Sequence, residues 1–345
     1  MIIVGIDTSC DDTCVSVLKI EGKNLKILSN VVSSQVKLHA KYGGVFPTLA
    51  KREHQKNLPI VFEKALKIAK NPKIDLISVT IGPGLEPCLW QGVNFAKDLA
   101  KKLNLAIVPA NHIEAHVFSS FLSPSKFKIL NQKIFPTISL VVSGGHTELI
   151  LVENIKKYKI LGQTRDDAAG ECLDKVARLL GLGYPGGPAI EKYSKYKIKE
   201  LKYKIRLPRP MINQKNYDFS FAGLKTAVLY DFLKRPKKER NSRQYKIEMA
   251  KKVQEAVVEV LVEKTFRAIE NFKAKSLFLG GGVVANFYLR KKFKEKAKNK
   301  NINYFLPEIK FCTDNGAMVA LVGFLQREKA TKNYDKIEAE ANLEI

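Results

Sequence analysis

Residues 2–15 read Ile2-Ile3-Val4-Gly5-Ile6-Asp7-Thr8-Ser9-Cys10-Asp11-Asp12-Thr13-Cys14-Val15, in which two apolar segments flank a polar turn. The apolar run Ile2 to Ile6 predicts a buried strand, and the alternating residues Thr13 to Ile20 predict a second one. The turn between them, Asp7 to Asp12, places carboxylates and hydroxyls directly at the end of the first strand. The pattern therefore predicts a hairpin with a polar turn.

The same pattern returns in the second half of the chain. Phe135 to Val142 is a largely apolar run, Ser143-Gly144-Gly145-His146-Thr147 is a turn, and Glu148 to Val152 resumes as a strand. Each hairpin is followed by mixed strands and helices, so the repeat predicts an internally duplicated α/β protein.

The length of 345 residues exceeds that of a usual single domain, which supports the duplication. We predict a first lobe over residues 1–130 and a second lobe over 131–325. The helical period at about 166–273 predicts a helical insertion in the second lobe. Residues 326–345 form a charged tail, for which we expect packing against the first lobe.

Composition narrows the class of protein. The 45% apolar content with 27% charged residues is that of a globular protein. Lys and Arg number 59 against 34 Asp and Glu, and the net charge of +25 favours polyanionic partners, of which RNA is the natural candidate. Solvated basic helix faces would explain the net charge equally well, so charge alone does not identify RNA as a partner.

Cysteine usage and hydropathy indicate a cytoplasmic protein. No run of about 18 apolar residues is present and the N-terminus reaches Asp7 without a basic segment, so we predict neither a membrane span nor a signal peptide. The five cysteines are scattered and form no C-x-x-C pair, which argues against a disulfide framework and a cysteine zinc site.

Three turns that directly follow apolar strands favour nucleotide binding. They are Asp7 to Asp12, Ser143 to His146 and Gly280 to Gly282, and they place backbone N–H groups where a phosphate or ribose could lie. A single such loop would be explained by a tight turn alone. The chain has no G-x-x-x-x-G-K-[ST] loop and no G-x-G-x-x-G after the first strand, which excludes those two nucleotide sites.

The sharpest local signal is His112-Ile113-Glu114-Ala115-His116. Two histidines four residues apart share one face of a helix and can bind one metal ion, although an exposed helix face is the alternative. Glu114 does not follow the first histidine directly, as it does in zincins, and points away. Asp314 is a plausible third ligand, and His146 is a candidate for a further ligand or a contact to an acyl group.

Nine motifs, taken in order, resemble the tRNA threonylcarbamoyladenosine synthase family, whose members were once taken for glycoprotein endopeptidases. The similarity runs from about Gly5 to Gly323 and looks like the bacterial branch. The motifs are Asp7-Thr8-Ser9-Cys10-Asp11, Ser34-Gln35-Val36, His112-Ile113-Glu114-Ala115-His116, Val142-Ser143-Gly144-Gly145-His146-Thr147, Asp166-Asp167-Ala168-Ala169-Gly170-Glu171, Tyr184-Pro185-Gly186-Gly187-Pro188, Asp218-Phe219-Ser220-Phe221, Gly281-Gly282-Val283 and Cys312-Thr313-Asp314-Asn315-Gly316-Ala317.

The resemblance implies a duplicated actin-like, hexokinase-like ATPase fold (ASKHA) with a ligand cleft between two lobes. It implies one divalent metal ion, Fe²⁺ with Zn²⁺ as the alternative, held by His112, His116 and Asp314. It also implies an adenine nucleotide in the cleft, as threonylcarbamoyl-AMP, ATP or AMP. The residues that match its binding positions are Val141, Val142, Ser143, Gly144, Gly145, Asp174, Gly187 and Asn286.

The activity that the resemblance implies is transfer of a threonylcarbamoyl group to the adenosine at position 37 of tRNA. Implied partners are tRNA, a paralogous TsaB-type protein and a small TsaE-type ATPase. Three rival functions are an actin-fold small-molecule kinase, a metallopeptidase and a non-catalytic RNA-binding scaffold. The kinase leaves the histidine pair without a role, the position of Glu114 disfavours the peptidase, and the scaffold rests on charge alone.

Overall fold

Two five-stranded mixed sheets form the framework of the protein. The structure is a computed structural model that describes residues 1–130, 132–198 and 200–345. The strands of the first sheet are β1 (Ile2–Asp7), β2 (Asp12–Glu21), β3 (Asn24–Ser34), β4 (Leu76–Gly82) and β5 (Ile107–Asn111). Their order is β3-β2-β1-β4-β5, with β1 to β3 antiparallel and β4 and β5 parallel to β1.

The second sheet repeats this topology strand for strand. Its members are β6 (Thr137–Val142), β7 (Thr147–Asn154), β8 (Lys157–Gln163), β9 (Ser276–Gly280) and β10 (Asn303–Phe305), in the order β10-β9-β6-β7-β8. Strands β6 to β8 are antiparallel, and β9 and β10 run parallel to β6. The predicted hairpin and its duplication are therefore confirmed.

Twelve α-helices, counted over the described residues, cover and connect the sheets. They are α1 (Val36–His39), α2 (Pro47–Ile68), α3 (Glu86–Leu103), α4 (His112–Phe118), α5 (Pro124–Phe127), α6 (Ala169–Leu179), α7 (Gly186–Ser194), α8 (Ala222–Lys234), α9 (Lys237–Arg240), α10 (Arg243–Asn271), α11 (Phe287–Asn299) and α12 (Gly316–Leu325). Helices α6 to α10 all lie between β8 and β9. No helix in the described parts is long and apolar enough to cross a membrane.

One helix of each half, α4 in the first and α12 in the second, packs against the sheet of the other half. Helix α12 contacts β1, β2 and β4, whereas α4 contacts β6 and β9. The sequence of α12 is almost entirely apolar, as expected of a helix buried on all sides. Glycine permits the contact, because a Cβ on Gly5 would lie 2.0 Å from the carbonyl oxygen of Gly316. This exchange joins the two halves and brings α4 and the start of α12 together.

The C-terminal tail lies along the first sheet. Thr331 pairs with Ile107, and the side chain of Ile337 is buried. Further along, the Glu340 N–H donates to the carbonyl of Ile81 at 2.7 Å. The tail thus reaches the carboxyl end of β4, next to α4. The domain boundaries stay predictions.

Candidate active site

Helix α4 presents the histidine pair in a buried position. Its N-terminus is capped by Asn111, whose Oδ1 accepts hydrogen bonds from the N–H groups of Ile113 at 2.8 Å and Glu114 at 3.0 Å. His112 is 4% exposed and His116 is fully buried, so the alternative of a solvent-exposed helix face is excluded. The cap of Asn111 fixes the start of α4, and burial of both histidines holds the two imidazoles in fixed orientations.

Asp314 reaches this pair from the loop before α12. Its Oδ1 lies 3.2 Å from Nε2 of His116 and 3.5 Å from Nε2 of His112. One ligand atom from each of the three residues lies within 4.8 Å of the others. Two imidazole nitrogens and one carboxylate oxygen suit a divalent transition metal, and three protein ligands leave positions open for a substrate. The donor set therefore fits the metal that the resemblance implies.

Asp7 lies behind His112 and was missed as a functional residue in the sequence. Its fully buried carboxylate accepts hydrogen bonds from Nδ1 of His112 at 2.9 Å, Oγ1 of Thr80 at 2.7 Å, and the N–H and Oγ of Ser9 at 2.9 and 2.7 Å. A carboxylate on Nδ1 keeps the proton there and leaves Nε2 free to bind a metal. Its place at the carboxyl end of β1, in the polar turn, is the signal that could have found it.

The charges in this cluster depend on one another. Burial alone would lower the pKa of His112, but the carboxylates of Asp7 and Asp314 raise it to about 9. Burial alone would raise the pKa of both acids, yet the charge of His112 holds each of them below its usual value. Burial lowers the pKa of His116, which is therefore held neutral. Without a metal ion, the positive charge of protonated His112 balances the negative charge of Asp7 and Asp314. A divalent cation can replace that proton.

Glu114 points away from this cluster, as its position in the sequence predicted. Its carboxylate accepts hydrogen bonds from the hydroxyl of Tyr158 at 2.8 Å and from the side-chain amide of Gln326. It is buried on the opposite side of α4 and cannot assist a water molecule near the histidines. This excludes the zincin arrangement.

The turn between β6 and β7 offers backbone donors. The Ser143 N–H donates to the carbonyl of His146 at 2.8 Å, and the Ser143 Oγ accepts from the His146 N–H at 3.0 Å, so this turn is closed on itself. A Cβ on Gly144 or Gly145 would meet nothing within 4 Å. The free N–H groups of the turn are therefore those of these two glycines, among the residues that the structure describes.

Helix α6 begins directly beside this turn. The Gly170 N–H donates to the Ser143 carbonyl at 3.2 Å, so the positive end of the α6 dipole lies at the open glycines and favours an anion there. Val141 and Val142, also predicted to bind the nucleotide, have fully buried side chains. Only their backbone can take part in binding.

The remaining predicted residues lie where α6, α7 and α11 meet. Asp174 accepts a hydrogen bond from the Gly186 N–H at 2.5 Å, and a Cβ on Gly187 would meet open space. Asn286 is engaged structurally, since its Oδ1 caps α11 at 2.9 Å and its Nδ2 donates to Gln254 at 2.9 Å. Asp174 and Gly187 are thus available to a ligand, whereas the side chain of Asn286 is largely committed to α11.

His146 lies beside a small cavity that the C-terminal tail helps to close. The cavity has a volume of about 300 Å³ and is lined by His146, Glu148, Ile113 and residues 341–345. Burial raises the pKa of Glu148 to about 7, and burial lowers that of His146 to about 4. Asn111 ties the tail to α4, because its Nδ2 donates to the carbonyl of Glu344 at 3.1 Å.

Comparison with known proteins agrees with this geometry. Residues 26–321 match the family described as TsaD, tRNA N6-adenosine threonylcarbamoyltransferase. Proteins of that name from Thermosipho africanus and Persephonella marina are 47% and 46% identical to the chain. The first alignment covers all of both chains, and the second covers all of this chain and 96% of its relative.

The similarity to solved structures concerns the fold. HypF of T. kodakarensis, at 15% identity, superposes with a TM-score of 0.58 over 96% of this chain and 49% of its own. The structural neighbours have the actin-like ATPase fold, which confirms the predicted fold class. With a family match over most of its length and full-length relatives well above 40% identity, the chain belongs to the tRNA N6-adenosine threonylcarbamoyltransferase family.

Proposed function

We propose that this chain transfers the threonylcarbamoyl group from threonylcarbamoyl-AMP to N6 of the adenosine at position 37 of tRNAs that read codons beginning with adenine. The observation that carries the proposal is the convergence of His112, His116 and Asp314 in a chain 47% identical over its full length to a relative named for this activity. The carbamoyl carbon gains a bond to N6 and loses its bond to the phosphate oxygen, so AMP leaves and the amine gives up one proton.

The donor nucleotide fits the open backbone donors of the cleft. The N–H groups of Gly144 and Gly145, with the start of α6 beside them, would bind its phosphate. The carboxylate of Asp174 would accept hydrogen bonds from ribose hydroxyls, and the open space at Gly187 would leave room for the adenosine. Backbone donors of this kind stabilise the charge that collects on AMP as it leaves.

The histidine cluster would hold one divalent metal ion, which we propose to be Fe²⁺, with Zn²⁺ as the alternative. When bound, it supplies a positive charge that polarises the carbamoyl carbonyl of the donor. The chain's own contribution is positional. Asp7 keeps the proton of His112 on Nδ1, the cap of Asn111 fixes the start of α4, and burial keeps His116 neutral and ready to bind.

We also propose tRNA, a paralogous TsaB-type protein and a small TsaE-type ATPase as partners, and the cytoplasm as the place of action. The five cysteines are free, which fits a reducing compartment. The basic composition fits an RNA substrate.

Nucleoside mass spectrometry tests the proposed reaction. Unmodified tRNA is incubated with threonylcarbamoyl-AMP, the partner proteins and either the native chain or the His112→Ala/His116→Ala variant. We expect threonylcarbamoyladenosine from the native chain only. No product from the native chain, with partners that are active beside another family member, would refute the transferase and favour a kinase of the same fold.

A further inference from the structure

The positive charge of the chain is concentrated in one segment. Residues 192–246 contain seventeen lysines and arginines and four aspartates and glutamates. This stretch of the helical region between β8 and β9 therefore carries more than half of the net charge of +25. A uniform excess of solvated lysines does not explain such a segregation, whereas a polyanion-binding surface does.

Most of these cations have no carboxylate partner. Carboxylates bind four of them, Lys195, Arg209, Lys225 and Arg235. No ion pair engages the others in the described part of this segment. We use the name basic groove for Tyr196, Lys197, Lys202, Lys204, Arg206 and Arg243.

One part of the basic groove is a depression, and Lys204 and Arg206 lie outside it. Tyr196, Lys197, Lys202 and Arg243 line a cavity of about 520 Å³ in which Glu200 is the one acid among the described lining residues. The guanidinium of Arg243 lies 4.6 Å from the ring centre of Tyr196. Tyr196 is half-buried, and a cation stacked on a partly accessible aromatic ring is a surface that binds nucleic-acid bases and phosphates.

The segment at its edge carries three exposed cations. Lys202, Lys204 and Arg206 are exposed, whereas the residues between them are buried. The Ile205 N–H donates to the Tyr203 carbonyl at 3.0 Å, so the chain turns at Lys204 while all three cations stay exposed. Glu248 anchors the segment by accepting from the N–H groups of Lys202 and Tyr203 at 2.9 Å each, so this acid is engaged with the backbone.

The groove lies within reach of the proposed reaction. Helix α7 runs from Gly186, beside Asp174, to Ser194, directly before Tyr196. Nine helical residues span about 14 Å. A stem of RNA that is bound in the groove can therefore place its loop over the nucleotide site.

We propose that the basic groove is the docking surface for the anticodon arm of tRNA, with Lys202, Lys204 and Arg206 on phosphates of the RNA backbone. This inference rests on the proposed function for the identity of the RNA. It adds where the RNA binds and which cations set the salt dependence of binding. An acidic protein partner on the same surface is the competing outcome.

Fluorescence anisotropy with unmodified tRNA and with its anticodon stem-loop tests the proposal. The full chain is compared with a Lys202→Gln/Lys204→Gln/Arg206→Gln variant between 50 and 200 mM salt. We expect affinity to fall on the order of tenfold or more, and the slope of log affinity against log salt to decrease by about 2, for both RNAs.

The matched control removes three exposed charges elsewhere. Lys64, Lys67 and Lys101 lie on α2 and α3 near their carboxyl ends, at the amino end of the parallel strands and opposite the cleft. Replacing all three by Gln removes the same charge, and we expect less than about a twofold change. Unchanged thermal unfolding and AMP binding show that each variant is folded.

The outcomes separate this proposal from the proposed reaction. The docking surface would be overturned if the triple variant kept the native tRNA affinity and salt slope, or if the control variant lost as much affinity. It would also be overturned if the triple variant lost binding to an acidic partner protein but not to tRNA. If the native chain forms no threonylcarbamoyladenosine but the triple variant still loses tRNA affinity, the reaction is wrong and the docking surface stands. If the triple variant forms threonylcarbamoyladenosine again once tRNA is saturating, both the proposed reaction and the docking surface are supported.

Discussion

Replacing Asp7 by Asn should weaken metal binding without altering any of the three ligand side chains. The carboxylate of Asp7 accepts hydrogen bonds from Nδ1 of His112, Oγ1 of Thr80, and both the N–H and Oγ of Ser9. In asparagine, an NH₂ group, which donates hydrogen bonds, replaces one of the two carboxylate oxygens, which accept them. If that donor faces His112, the imidazole must give up its Nδ1 proton and carry it on Nε2, the atom that faces Asp314.

The other orientation of the amide is no better. The donor then faces the N–H of Ser9, and a buried donor without an acceptor costs about 1–3 kcal/mol. Either arrangement removes the charge that orients His112, and loss of such a partner typically weakens metal binding by about 10- to 100-fold. The structure thus predicts that Asp7→Asn binds its ion about 10- to 100-fold more weakly.

Competition with a chromogenic chelator measures this affinity, with Zn²⁺ as a redox-inert probe. Thr80→Val is the matched control, because it removes one donor to Asp7 and leaves the charge in place. We expect the control to change affinity by less than about threefold. An Asp7→Asn protein that is folded and binds Zn²⁺ within about twofold of the native affinity would refute the role assigned to Asp7.

Four other perturbations have outcomes that follow from the geometry. Because the pKa of His112 is raised from 6.5 to about 9 without an ion, metal binding at about pH 7.5 should release about one proton; calorimetry that shows no dependence on buffer ionisation would contradict this. Protonated His112 stabilises the ion-free fold fully below pH 6.5, and this stabilisation is lost as the pH rises through about 9. The Tm of the ion-free protein should therefore fall over that range, and a constant Tm would argue against the raised pKa. Gly5→Ala places a Cβ 2.0 Å from a backbone oxygen and should lower the free energy of unfolding by more than about 3 kcal/mol. Its control is Gly223→Ala, which lies in a helix with 3.8 Å of clearance and should stabilise the protein by up to about 1 kcal/mol. Similar denaturation midpoints for the two variants would count against the close contact at Gly5. Gly82→Ala places a Cβ 1.9 Å from the Glu340 carbonyl and should release the tail, seen as faster carboxypeptidase digestion than in the native chain.

The sequence predicted the parts of this protein that depend on local pattern. Alternation and polar turns identified the hairpin of β1 and β2 and its repeat, and helical spacing placed His112 and His116 on one face. The direction of Glu114 followed from the same spacing. Family motifs pointed to Asp314 as the third member of the cluster, and the structure brings it within hydrogen-bond distance of His116.

Other features depend on long-range packing and could not be predicted from local pattern. The exchange of α4 and α12 between the two sheets rests on contacts such as that between Gly5 and Gly316, which lie at opposite ends of the chain. The chain forms a 3₁₀ turn between β9 and α11, and Asn286 then caps α11 through its Oδ1 while its Nδ2 donates to Gln254. Partnerships of this kind become visible only in three dimensions.

An isotope label on the donor follows the transfer of the threonylcarbamoyl group itself. Threonylcarbamoyl-AMP labelled with ¹³C in the carbamoyl carbon is incubated with unmodified tRNA, the native chain and its partner proteins, and both products are quantified by mass spectrometry. We expect equal amounts of AMP and of labelled threonylcarbamoyladenosine at position 37. Release of AMP with the label in free threonine derivatives and none in tRNA would contradict this expectation.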